Sequence, residues 1–224
     1  MRMRKKKNGA SRIRACAHLL IEDAATFRQA PAEAFGKERP LHVEVGCGKG
    51  NFACGMAEKH PDFNFIAMER VADVACLALE KADRAKESRP DNLRFIIGDA
   101  KNLTEFFPDG SVSCLYLNFS DPWPKAGHDK RRLTHAGFLH LYRQILAPDG
   151  MLKLKTDNRS LYEFTLEQFE SLGLTVLWKT EDLHGSPLAE DNVMTEYEKN
   201  FSDKGMPIYS IHAVFPPHKE DASC

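Results

Sequence analysis

The sequence predicts an α/β fold: a doubly wound, mostly parallel sheet with helices on both faces. Two observations carry that expectation. From residue 41 onward, short β-branched or apolar runs alternate with longer helical runs, the pattern that builds parallel sheets. Acidic residues then recur where those short runs end, and sheets of this kind bind ligands beyond the carboxyl ends of their strands.

The elements follow in order. "LHVEVG" reads as a strand closed by glycine, and "NFACGMAEKH" as a helix ended by Pro61. "FNFIAME" is a second strand, "VADVACLALEKADRAKE" a long helix, and "LRFIIGD" a third strand. "AKNLTEFF" is a short helix before a Pro-Asp-Gly turn, and "SVSCLYLNF" a fourth strand. "HAGFLHLYRQIL" is a helix stopped by "APDG", followed by the strand "MLKLKT". "RSLYEFTLEQFESL" is a helix, "LTVLWKT" a sixth strand, and "PIYSIHAVF" a strand near the C-terminus. Ahead of these, residues 15–30 read as one helix and "APAEAFGKERP" as a linker. The layout expected is a basic tail and helix over 1–30 and one domain over 31–224.

Composition bounds the function. The chain has 224 residues, 42% hydrophobic and 28% charged, with a formal net charge of -1, as in ordinary soluble globular proteins. A nucleic-acid partner would need a local basic patch, because the whole-molecule charge attracts nothing. Such patches exist: Arg2, Arg4, Lys5, Lys6, Lys7, Arg12 and Arg14 crowd the N-terminus, and Lys130, Arg131 and Arg132 form a run. Cysteines 16, 47, 54, 76, 114 and 224 form no Cys-x-x-Cys pair and read as reduced core thiols of a cytoplasmic protein. The histidines lack metal-site spacing, so no metal is expected. No apolar run reaches the length of a membrane span.

The strand ends carry the chemistry. The first leads into "EVGCGKGNF", with Gly46, Gly48 and Gly50 forming a turn that a ligand can approach closely. The spacing is not that of the dinucleotide fingerprint. Glu44, two residues before the first glycine, would repel a pyrophosphate but pair with an ammonium or sulfonium. Glu69 ends the second strand, where a carboxylate suits a ribose diol. Asp99 follows the third and suits an adenine amino group. Each acid alone could be a helix cap. Together they outline a nucleoside site with an added carboxylate for a cationic tail, which matches S-adenosylmethionine and not NAD.

The fourth strand runs into "NFSDPWPK", where Asp121 is followed by Pro122, Trp123, Pro124 and Lys125. Prolines stiffen that turn. Trp123 reads equally as a base-stacking surface or as an anchor of the loop. With "VEVGCGKGNF", "GDA", "KRRLTH", "LKTDN" and "MTEYEKNF", this segment resembles the bacterial tRNA (guanine-N7)-methyltransferases over nearly the whole chain. The resemblance implies a Rossmann-like methyltransferase sheet of about seven mostly parallel strands, the last antiparallel, filling 31–224. It implies a donor site of Glu44, Glu69, Asp99 and Asp121, with Asp121 also catalytic. It assigns Lys125, Asp157, Thr195, Glu196, Tyr197 and Glu198 to substrate, and the loop Gly127, His128, Asp129, Lys130, Arg131 and Arg132 to RNA. Ala126 and Gly127 stand where the family usually carries further basic residues. The partner implied is tRNA, methylated in its variable loop by a cytoplasmic monomer or homodimer.

Two other readings remain open. An amino-methyltransferase acting on adenine or glutamine would use a related turn, with Pro-Pro where Trp123 interrupts. A non-catalytic RNA-binding scaffold would keep the basic segments without using the acids.

Overall fold

The computed structural model describes residues 8–84, 90–125 and 127–217. They belong to two compact units, Met1–Pro108 and Asp109–Cys224. The basic residues at 2–7, Ala126 and Cys224 lie outside the described residues.

The first unit begins with α1 (Gly9–Ala15) and α2 (Ala24–Gln29), where the sequence predicts a single helix over 15–30. Two interactions break it, one local and one with a distant strand. Asp23 caps α2, its carboxylate accepting from the amides of Ala25 at 3.0 Å and Thr26 at 3.2 Å, and a capped start forces non-helical backbone just before it. Upstream, Leu20 bridges to Phe95, and the Ile21 amide donates to the Phe95 carbonyl at 2.9 Å. The stretch that reads as a linker holds a turn at Pro31–Ala34 and a buried Phe35. The Arg94 guanidinium lies 5.3 Å from the centre of that ring.

Three parallel strands follow: β1 (Leu41–Val45), β2 (Asn64–Glu69) and β3 (Leu93–Ile97), with β2 in the middle. Val45 pairs with Met68 and Glu69 with Ile97. The Gly46 turn, Glu69 and Asp99 therefore leave the sheet at one edge. β1 is buried throughout and β2 as far as Met68, as expected of parallel strands covered on both faces. Helices α3 (Asn51–Lys59) and α4 (Ala72–Arg84) pack on β2 and β3. α4 buries Ala75, Cys76, Ala78, Leu79 and Ala82, one helical face of small and medium side chains. Gly50 makes the close approach possible. It caps α3 at φ +76°, and a Cβ there would lie 2.8 Å from the Ala78 Cβ. Gly50→Ala is expected to cost about 2–4 kcal/mol, combining overpacking with left-handed backbone strain. A denaturant melt measures this, and an unchanged midpoint would mean that the two helices part freely. The short α5 (Leu103–Phe106) closes the unit.

The second unit contains β4 (Val112–Asn118), α6 (Ala136–Ile145), β5 (Leu146–Thr156), α7 (Arg159–Ser171), β6 (Thr175–Thr180), α8 (Glu196–Ser202) and β7 (Tyr209–Val214). β4 and β5 are parallel. β7 lies between β5 and β6, antiparallel to both, as expected of the last strand. β5 starts earlier than the sequence predicts. Its pairing jumps from Val112–Leu146 to Cys114–Met151, so "APDG" is absorbed as a bulge and does not separate helix from strand. Asn118 pairs with Lys155, which brings the turns after β4 and β5 out side by side. Asp121 lies on the first and Asp157 on the second.

Candidate active site

The first unit places Glu44, Glu69 and Asp99 at one edge of its sheet; the fourth expected donor residue, Asp121, belongs to the second unit. Gly46, Gly48 and Gly50 all have left-handed backbone, at φ +86°, +57° and +76°. Glycine adopts that conformation without the strain a Cβ would bring. The loop is tied to the neighbouring strand. Gly46 and Cys47 amides donate to the Met68 carbonyl at 2.8 and 3.0 Å. The Gly48 amide donates to Glu69 Oε2 at 3.1 Å, and the Val71 amide to Glu69 Oε1 at 2.8 Å. Glu69 thus shapes the turn, and each of its oxygens keeps a second lone pair. Asp99 accepts from the Lys101 amide at 3.0 Å and lies 3.7 Å from Arg70. Glu44 is 2% exposed. Burial raises the Cys47 thiol well above its ordinary range, and the charges of Glu44 and Glu69 raise it further. The thiol thus stays protonated, with two carboxylates near the loop. Three carboxylates at this edge suit a nucleoside with a cationic tail, such as S-adenosylmethionine, and would repel an anionic pyrophosphate.

The second unit gathers the remaining acids. The turn after β4 is strained: Phe119 has φ +51° and Trp123 φ +42°, conformations that bulky residues adopt only when their surroundings hold them. Asp121 between them is exposed. Asp157 is half-buried, and burial raises its carboxyl above the usual range. Tyr197 is 47% exposed. Its phenol is raised by partial burial first, then by the charges of Asp157 and Asp121. The Tyr197 ring centre lies 5.2 Å from that of Phe119, tilted, and 4.5 Å from that of Phe201, stacked.

Thr195 caps α8, and Glu196, Tyr197 and Glu198 form its first turn. Thr195 and Glu198 form a capping box. The Glu198 amide donates to Thr195 Oγ1 at 2.8 Å, and the Thr195 amide to Glu198 Oε2 at 3.2 Å. Glu198 is 0% exposed. It also accepts from Lys155 Nζ at 2.8 Å and Asn192 Nδ2 at 2.6 Å, with His184 Nε2 3.1 Å away. Every acceptor position of that carboxylate is occupied by protein, so in this arrangement it holds the segment together. Glu196 is exposed beside Tyr197.

The basic loop also divides. Gly127, Lys130 and Arg131 are exposed, and His128 and Asp129 half-buried. Arg131 lies 4.9 Å from the centre of the Trp123 ring, with the His128 ring 5.8 Å from it edge-on. Arg132 departs from the expectation for a basic run. It is buried, pointing into the protein beneath the Asp121 turn. Lys125 is exposed.

Sequence reasoning missed Lys155, Phe119 and Phe201, and also Phe164, whose ring centre lies 4.2 Å from the Arg132 guanidinium. Lys155 alone had a signal: its alternation with Leu152 and Leu154 shows that it stands on the face opposite theirs in a largely buried strand. Among the described residues, no helix is long and apolar enough to cross a membrane, and no three His, Cys, Asp or Glu stand together as a metal-binding group.

Residues 38–211 match a family described as putative methyltransferases. The chain is 49% identical, over 96% of its length and 100% of the relative's, to a tRNA (guanine-N(7)-)-methyltransferase of Limosilactobacillus reuteri. It is 48% identical to a protein of that name from Geobacillus kaustophilus, over 98% and 99% of the two chains. Among solved structures it resembles the antibiotic-resistance methyltransferase Kmr, with a TM-score of 0.59 at 18% identity over 84% and 92% of the two chains. It also resembles a SAM-dependent methyltransferase from Aquifex aeolicus, with a TM-score of 0.54 at 12% identity over 93% and 98%. Those structural likenesses give the Rossmann-like methyltransferase fold; the sequence identity gives more, and the chain belongs to the bacterial tRNA (guanine-N7)-methyltransferase family.

Proposed function

We propose that this protein transfers the methyl group of S-adenosylmethionine to N7 of a guanosine in tRNA, at a position in the variable loop. The observation that carries the reading is the grouping of Asp121, Asp157 and the exposed Tyr197: Asn118 pairs with Lys155, so the turns bearing the two acids emerge side by side, and the Tyr197 ring lies 5.2 Å from that of Phe119 on the first turn. Guanine presents N–H donors on its Watson–Crick edge and N7 on the opposite edge. Two carboxylates that accept from N1–H and the amino group hold the base by the edge that does not react. Tyr197 supplies a stacking face.

The donor contributes an electrophilic methyl on a sulfonium. The protein's part is positioning, since N7 has a lone pair and no proton to remove. Asp121 orients the base and favours the positive charge that the purine acquires. Glu44 takes the cationic tail, Glu69 the ribose diol and Asp99 the adenine amino group, above the Gly46–Gly50 turn. Lys125, Lys130 and Arg131 meet phosphate.

Nucleoside analysis of unmodified bulk tRNA after incubation with labelled donor tests the reading. The expected product is 7-methylguanosine, mapped to the variable loop. An N6-methyl product would favour the amino-methyltransferase, and no transfer with no binding of S-adenosylhomocysteine would favour the scaffold. For the donor site, Glu69→Ala is expected to weaken S-adenosylhomocysteine binding by about 1–3 kcal/mol, the scale of lost hydrogen bonds to a charged acceptor. Calorimetric titration reads this, and unchanged affinity removes Glu69 from the donor site.

A further inference from the structure

We propose that Arg132 is a positioning residue for methyl transfer, the brace of the Asp121 turn and not a phosphate contact. The proposal rests on the reading that this turn serves the reaction. Arg132 is 9% exposed. Its Nε donates to the Pro122 carbonyl at 2.9 Å and its Nη2 to the Trp123 carbonyl at 3.3 Å. Nη2 also lies 3.1 Å from Asp129 Oδ1. The guanidinium stands 4.2 Å from the centre of the Phe164 ring, on α7. A phosphate contact needs a guanidinium whose hydrogens face solvent. Here the fork faces backbone carbonyls and one flat side faces an aromatic ring.

The turn has reason to need a brace. Phe119 and Trp123 both hold left-handed backbone, and Pro122 and Pro124 have no amide hydrogens with which to tie it. Donors must come from elsewhere. Arg132 supplies them to the two carbonyls immediately after Asp121. A planar fork spans two carbonyls at once, while the ammonium of lysine is a point donor. The basic run therefore does two jobs. Lys130 and Arg131 are exposed, Arg131 lying over the Trp123 ring, while Arg132 is buried and bonds the backbone of the turn.

The test uses the full chain carrying Arg132→Lys or Arg132→Ala, beside Lys130→Ala/Arg131→Ala. Single-turnover methylation at saturating donor is measured with tRNA affinity across a salt series. Trp123 emission is followed in a Trp178→Phe background. In both Arg132 variants the rate is expected to fall by roughly 10–100-fold, the scale of a small misplacement of reacting groups. Trp123 emission should shift, while tRNA affinity and its salt slope stay at the wild-type values. Millimolar methylguanidinium should restore part of the rate to Arg132→Ala. The Lys130/Arg131 pair should instead weaken tRNA binding and flatten the salt slope. A normal rate in Arg132→Lys with a flattened salt slope would overturn the proposal, as would a wild-type rate and unshifted emission in both variants. If Arg132→Ala fails to fold, Arg132→Lys, which keeps the charge, decides. A wild-type protein that forms no 7-methylguanosine overturns the activity reading instead, and Trp123 emission still judges the brace.

Discussion

Asp121→Ala is expected to lower the single-turnover methylation rate by about 100-fold or more, the scale seen when one preorganised electrostatic contact to developing charge is removed. Binding of tRNA should weaken far less, because phosphate contacts elsewhere supply most of the affinity. The side chain is exposed on a strained turn, so its loss removes no core contact and the fold should survive. Asp121→Asn separates positioning from proton abstraction. An obligatory base would leave Asn as inactive as Ala. Attack by N7 requires no deprotonation, and Asn keeps one acceptor oxygen, so Asn should retain measurably more activity than Ala. Rates for wild type, Asn and Ala at saturating donor decide this. Equal rates for Asn and Ala would defeat positioning, and a wild-type rate in Ala would remove Asp121 from the reaction.

Lys155→Met should have the largest effect on stability. Lys155 Nζ donates to Glu198 Oε2 at 2.8 Å, Asn192 Oδ1 at 3.0 Å and the Val193 carbonyl at 2.9 Å, in a site where its own side chain is 9% exposed and that of Glu198 0%. Removing one member of a buried ion pair leaves the other uncompensated, at about 3–5 kcal/mol. On a chain of this size that corresponds to a fall in Tm of roughly 6–20 °C. Thermal denaturation followed by circular dichroism checks it. The double variant Lys155→Met/Glu198→Leu should recover part of the loss, since no lone charge remains buried. An unchanged Tm in the single variant would mean that Glu198 finds other compensation, from His184 for instance.

The parts of this molecule that sequence made legible are those dictated by local pattern. Glu69 and Asp99 end or follow apolar runs, Glu44 precedes a glycine turn, and parallel pairing of β1, β2 and β3 then brings them to one edge. Asp121 and Asp157 follow the same logic on β4 and β5. What stayed hidden depends on partners distant in sequence. Lys155 and Glu198 are 43 residues apart, and no local pattern links them. Arg132 reads as one cation in a solvated run until Phe164 and the Pro122 carbonyl are seen around it. The break between α1 and α2 arises partly because Leu20 pairs with Phe95, far along the chain.

The capping box divides the four residues 195–198 by the direction each side chain faces, with a practical consequence for redesign. Thr195 and Glu198 are bonded inward, while Glu196 and Tyr197 face out. A combinatorial library aimed at a different nucleobase can vary Glu196 and Tyr197 and still inherit an intact helix start. Randomising all four positions would fill the library with chains carrying a stranded Lys155, and screening would then select for folding before it could select for a new substrate.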